Sequence, residues 1–201
     1  MPVLAILLDF NGTVSDDDPL LYELFRDLFA ERGKPLSEDE YYDRLAGLAD
    51  RDVVRTWLGD DDPDLLAEYV RRYVDRAGDG STIARHVREA IRAAAGVARL
   101  AIVSGAPREA IEAALEGAGL NDAFRVIVSA DDVVEGKPNP EGYLLALLQL
   151  EVAADDAVAV EDSPRGIQAA KAANLYTTAV RGTADPGLLA AAPETVTDSA
   201  R

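Results

Sequence analysis

The chain of 201 residues contains no cysteine, which excludes disulfide bridges and thiolate metal sites. Histidine occurs once, at His86, so a metal site built from several imidazoles is excluded too. No apolar run reaches the roughly 18 residues that a membrane-crossing helix needs. Basic residues are few: 20 Lys and Arg stand against 37 Asp and Glu, a formal net charge of -17. Such a chain repels nucleic-acid backbones and anionic membrane surfaces, and the ordinary role of the charge is solubility. Lysine is scarcer still, with only Lys34, Lys137 and Lys171, so a lysine in a loop draws notice. The opening MPVLAILLDFNGT has no basic leader and no small-residue cleavage site. It reads as a buried strand, not a signal peptide, and a cytoplasmic location is expected.

What is present suffices for a core: 48% of residues are hydrophobic and 28% charged. Short apolar runs fall at about 3–8, 100–103, 125–128, 157–161 and 176–180. Runs of this kind suit a parallel sheet buried on both faces. Helical patterns alternate with them from Pro107 to Leu120, Pro140 to Leu150 and Pro164 to Ala173, each with Pro in the first turn. The fold class is therefore α/β, a Rossmann-like sheet with helices on both faces and ligands at the carboxyl ends of the strands. Residues 16–97 hold no convincing strand. A stripe of Leu20, Leu21, Leu24, Phe25, Leu28 and Phe29 stops at Gly33, Ser37 with Glu40 forms a capping-box pattern, and Asp62-Pro63 opens a further helix. Thr82 to Ala95 reads as a helix leading back to the sheet. We expect a core of 1–15 and 81–201 with a helical cap, 16–80, inserted after the first strand. Trp57 and the spaced tyrosines are expected in the cap core, and His86 on the surface.

Four loops carry possible chemistry. The run Val3 to Leu8 ends in Asp9-Phe10-Asn11-Gly12-Thr13. A carboxylate there suits a nucleophile or a metal ligand, although Asp, Asn and Gly also simply end strands in turns. Ser104, Gly105 and the start of the next helix could hold a phosphate on a hydroxyl and free amides; Ser104 could equally be a plain helix cap. Lys137, in Glu135-Gly136-Lys137-Pro138-Asn139-Pro140, could neutralise a phosphate, or could be solvated. Glu161 and Asp162 end an apolar strand as adjacent like charges, which suits Mg²⁺; the competing reading is helix capping by Asp162 or Ser163 before Pro164.

In this order, the loops resemble the four motifs of the haloacid dehalogenase-like hydrolase superfamily. GKPNPEGYLLAL and VEDSPRGIQAAKAANL are similar to its phosphatase and phosphomutase branch, which carries a small helical cap after the first motif. The resemblance implies that Asp9 attacks phosphorus to form an aspartyl phosphate and that Ser104 and Lys137 bind the phosphoryl group. It implies Mg²⁺ held by the Asp9 side chain, the Asn11 carbonyl and Asp162, with Glu161 in support. Gly12, Thr13 and Gly105 would complete the phosphate site. The expected partner is a small phosphorylated metabolite, and the protein a monomer or homodimer. The branch usually has a second aspartate where this chain has Asn11. That residue serves as acid and then base, a contribution of about 10²–10⁴-fold. Asn11 is then a natural residue of a slow or specialised enzyme, a substitution made to trap a complex, or a residue whose missing carboxylate comes from Asp16, Asp17 or Asp18. The ordinary role of those three is to cap the next helix. Gly47 to Arg51 is the expected substrate loop, with Arg51 toward the leaving group; the equal alternative is a surface arginine after an Asp50 helix cap. A phosphosugar mutase, a phosphoryl-transfer enzyme whose acceptor supplies its own base, and a non-catalytic phosphate-binding protein are the alternatives to a phosphatase.

Overall fold

The computed structural model describes residues 3–180 and the backbone of 194–196. Each apolar run becomes a strand: β1 (Ala5–Leu8), β2 (Arg99–Val103), β3 (Val126–Val128), β4 (Ala157–Glu161) and β5 (Tyr176–Val180). A sixth strand, β6 (Glu194–Val196), was not expected from the sequence. The sheet is parallel throughout, in the order β3-β2-β1-β4-β5-β6. β1 therefore lies between β2 and β4, with Leu8 opposite Ile102 on one side and Val160 on the other. This register brings the residues after three strands to one edge.

Helices cover both faces. α5 (Arg85–Ala95) and α6 (Arg108–Gly117) send Ile91, Ile111 and Leu115 toward Leu100 and Ile102. α7 (Glu141–Leu150) and α8 (Pro164–Ala172) pack Tyr143, Ala146, Ala169 and Ala170 on Leu7, Ala101 and Val103. The alternation of Leu100/Ile102 against Ala101/Val103 follows from the strand period of two. α5 begins at Arg85 and not at Thr82, whose hydroxyl pairs instead with Ser15 Oγ at 2.8 Å.

Between β1 and α5 lie four helices: α1 (Asp18–Glu31), α2 (Glu38–Arg44), α3 (Asp50–Leu58) and α4 (Pro63–Ala77). The expected stripe packs α1 on α4, and the Phe25 and Tyr69 rings stack at 4.6 Å between centroids. The Ser37–Glu40 capping box forms in full, and Asp62 caps α4 through the Leu65 amide at 2.8 Å. Trp57 is only half-buried, at the margin against Phe29, and His86 is exposed. The chain enters and leaves this helical segment side by side, with Asp16 N–H donating to the Thr82 carbonyl at 2.9 Å. No helix among the described residues is long and apolar enough to cross a membrane.

Candidate active site

Asp9 and Ser104 continue their strands by one more ladder bond each. The Asp9 amide donates to the Val160 carbonyl at 3.0 Å, and the Ser104 amide to Val128 at 2.9 Å. Their side chains are thus fixed by the sheet itself. Lys137 reaches in from the loop before α7, its Nζ 2.5 Å from both Asp9 Oδ1 and Glu161 Oε1. Glu161 is fully buried below it. The Tyr143 hydroxyl donates to Glu161 Oε1 at 2.8 Å, and the Ser163 hydroxyl donates to Oε2 at 3.2 Å. A β-carbon on Gly166, in the first turn of α8, would overlap the Glu161 carboxylate, so only glycine leaves it room.

Asp162 closes the cluster. Ser163 caps α8 by accepting from the Gly166 amide at 3.0 Å, which leaves Asp162 free of that task. Instead Asp162 accepts from the Thr13 hydroxyl at 3.4 Å and lies against Gly12. Gly12 has φ of 74°, and a side chain there would strike the carboxylate. Asp9, Glu161 and Asp162 place carboxylate oxygens within 4.8 Å of one another, an arrangement able to hold a cation. Burial pushes the Asp9 carboxyl up to about 7, with Lys137 pulling down and Glu161 pushing up. Burial, then Asp9 and Glu161, raises Asp162 as well. Burial works against the Lys137 charge, yet the two carboxylates hold its pKa above the ordinary lysine value.

These groups meet a cavity of about 500 Å³ between the sheet edge and the helical segment. Asp9, Asn11, Ser104, Gly105, Lys137, Asp162 and Arg51 line it; Gly12, Thr13 and Glu161 lie behind that wall. Ser104 does not cap α6. Its Oγ accepts from the Ala106 amide at 3.1 Å, and Pro107 occupies the cap position. The expected supply of free amides is also reduced there, because the Arg108 amide donates to Asp131 at 2.9 Å. Arg51 lines the cavity, but its guanidinium pairs with Asp61 at 3.0 Å, and Arg55 grips the same carboxylate at 3.0 Å. The leaving-group role expected of Arg51 is thus met by a cation already answered by a neighbour.

Two aspartates behave unlike the sequence reading. Asp17 occupies the cap position of α1 but makes no side-chain cap bond; it is 1% exposed and accepts from Asn11, Ser15 and Tyr73. Capping by the acidic triplet is therefore corrected for Asp17, since the buried donors outcompete the helix amides. Burial pushes its carboxyl up to about 6. Asp50, read as a helix cap, is instead the first residue of α3, whose cap position is Ala49. It is 6% exposed, lines the cavity, and its Oδ2 has no hydrogen-bond partner. Burial pushes it up to about 8, a hydrogen bond from Tyr69 pulls down, and Asp17 pushes up. The unfolded chain releases that proton near 3.8 while the folded one keeps it, so stability falls as pH rises from about 4 to 8. Asp50→Asn should flatten this fall, with a melting temperature a few degrees above wild type at pH 8 and a smaller difference at pH 5. Parallel pH profiles of thermal unfolding for the two proteins would show it.

A sheet in this order, with three carboxylates at the carboxyl ends of β1 and β4 and a lysine from the loop before α7, defines a class. The family model described as haloacid dehalogenase-like hydrolase matches residues 6–180. The chain belongs to that family. A phosphorylated carbohydrates phosphatase of Thermotoga maritima is 33% identical over 178 residues, covering 85% of this chain and 82% of the relative. A validoxylamine A 7'-phosphate phosphatase of Streptomyces hygroscopicus subsp. limoneus is 32% identical, covering 92% of this chain and 89% of its own. The crystal structure of CbbY from Rhodobacter sphaeroides in complex with phosphate superposes with a TM-score of 0.86 at 28% identity, covering 96% of this chain and 93% of that one.

Proposed function

We propose that the protein is a Mg²⁺-dependent phosphatase of small phosphate monoesters, with Asp9 as nucleophile and an aspartyl phosphate as intermediate. The observation that carries this reading is the Asp9 carboxylate at the cavity wall, 2.5 Å from the Lys137 ammonium and grouped with Glu161 and Asp162. The relatives named as phosphatases support it. Three buried carboxylates face one ammonium, and the excess negative charge fits a divalent cation. Asp9, Asp162 and the Asn11 main-chain carbonyl would hold Mg²⁺, with Glu161 in support. When bound, it neutralises charge on the phosphoryl oxygens.

An Asp9 oxygen attacks phosphorus, and the bond from phosphorus to the leaving oxygen breaks, the alkoxide taking its proton from water. The Ser104 hydroxyl and the Lys137 ammonium bind the transferring oxygens, which matches what phosphoryl transfer demands: charge stabilisation and in-line placement. Water then attacks the phosphorus of the aspartyl phosphate, releasing phosphate and restoring Asp9. Asn11 offers no ionisable proton, so alcohols of lower pKa leave faster. Residues 16–80 act as a cap on the core, shielding the intermediate from bulk water; of the core expected at 1–15 and 81–201, residues 1–2, 181–193 and 197–201 lie outside the described residues.

The cavity wall carries Asp18, Asp43 and Asp52 as well as Asp50, which keeps its proton to about 8, while Arg51 and Arg55 are engaged by Asp61 and Arg165 donates to the Lys137 carbonyl. Such a wall favours an uncharged polyhydroxy alcohol as leaving group over one bearing a second anion. The test is phosphate release from a panel of monoesters: a sugar phosphate, a sugar-alcohol phosphate, phosphoglycolate and a sugar bisphosphate. We expect release that needs Mg²⁺, stops with EDTA, and runs at least about tenfold higher in kcat/KM for the uncharged leaving groups. No release from any substrate, or release untouched by EDTA, would overturn the reading.

A further inference from the structure

Position 11 is built around an amide. Asn11 Nδ2 donates to Asp17 Oδ2 at 2.9 Å, while Asn11 Oδ1 accepts from Ser104 Oγ at 3.5 Å. The two ends of one carboxamide thus face a buried carboxylate and a hydroxyl of the phosphate site. Asp17 is itself fixed from three sides. The Tyr73 hydroxyl from α4 donates to the same Oδ2 at 2.6 Å, Ser15 donates at 2.8 Å, and Ser15 pairs with Thr82. These partners come from both crossings between the core and the helical segment and from the segment itself. A carboxylate at position 11 would set acceptor against acceptor at the place where a 2.9 Å hydrogen bond now stands, inside a region where unpaired charge is costly.

We propose that Asp17 is a positioning residue for the active site: it fixes the Asn11 carboxamide against Ser104, and the two residues function as one donor–acceptor pair. The proposal rests on the phosphatase reading for its catalytic part only; the coupling itself is readable without turnover. Asn11, Tyr73 and Ser15 all donate to one atom, Asp17 Oδ2, while Asp17 Oδ1 is buried with no hydrogen-bond partner. With Asp17→Asn the carbonyl oxygen serves Tyr73 and Ser15 only from the place of Oδ2, so the nitrogen turns away from position 11, but the charge that opposes a carboxylate there is gone.

The experiment is a cycle of Asn11→Asp, Asp17→Asn and the double variant, read by thermal unfolding and by steady-state kinetics in Mg²⁺. Asn11→Asp alone should lower the melting temperature by several degrees at pH 8, and the same substitution should cost clearly less in the Asp17→Asn background. Asp17→Asn should lower kcat about tenfold with KM unchanged, because the substrate still binds while the Ser104–Asn11 contact loosens. Additive melting shifts across the cycle, or an Asn11→Asp protein as stable as wild type at pH 8, would overturn the pairing. An Asp17→Asn protein with altered stability and unchanged kcat would overturn the positioning role. If no monoester is turned over by wild type, the phosphatase reading fails while the melting cycle still decides the pairing.

Discussion

Asp9→Asn should abolish turnover, by a factor on the order of 10⁴ or more, and leave the fold intact. The amide matches the carboxylate in shape but is a far weaker nucleophile. The structure adds a stability signature that separates lost chemistry from lost folding. The Asp9 carboxyl holds its proton to about 7 in the fold and releases it near 3.8 in the unfolded chain. Between those values the folded state binds the extra proton, so this group's contribution falls as pH rises. A neutral amide has no such slope. The variant should therefore match wild type near pH 4 and melt no lower than wild type at pH 8 in the absence of Mg²⁺. An unfolded variant, or one retaining a tenth of the activity, would remove Asp9 from the nucleophile's place.

Lys137→Met should damage both activity and stability. In the fold, one ammonium serves Asp9 and Glu161 at 2.5 Å each, from a side chain only 13% exposed. Removing it leaves buried carboxylates without their cation, a change that costs about 3–5 kcal/mol when the acids stay ionised. The acids take up protons to soften this, so the loss grows with pH; the melting deficit should be larger at pH 8 than at pH 5. Turnover should drop about 10²–10³-fold, the usual effect of deleting one donor to a transition-state oxyanion. Mg²⁺ should raise the melting temperature of the variant more than that of wild type, because it supplies charge to the same carboxylates. Calorimetry with and without the ion measures this. A variant as stable as wild type at pH 8 would show that the pair in the fold is not what holds the cluster.

The sheet was legible because its strands are short apolar runs ending in turn-forming or charged residues. Asp9, Ser104 and Glu161-Asp162 stood out for the same reason: polarity begins abruptly where a buried strand ends. Lys137 stood out through the rarity of lysine. The remaining features depend on partners far away in the chain. Asp17 read as one of three capping acids, because nothing in the local sequence announces Tyr73 or Asn11 as its donors. Arg51 read as free, because Asp61 lies ten positions on, beyond the end of α3. Asp50 opens a helix, as an acidic residue commonly does, and only packing against Gly105 and Tyr69 reveals it as buried. Gly166 read as an ordinary helix residue; its need appears only with Glu161 against it. β6, three residues long in an alanine-rich stretch, has no periodicity to detect.

The strand order has a consequence for synthesis on the ribosome. β1 is made first, yet its neighbours are β2, whose Arg99 pairs with Ala5, and β4, whose Ala157 pairs with the same residue. At about 5–20 residues per second, roughly 5–20 s pass before the first neighbour emerges, and longer before the second. Meanwhile α1 to α4 already have their partners in hand, as in the stacking of Phe25 on Tyr69. The helical segment is thus complete while the nascent chain still waits for its sheet. Asp9 meets Lys137 and Asp162 only when most of the polypeptide has left the tunnel, so a truncated product would carry Asp9 but never the site.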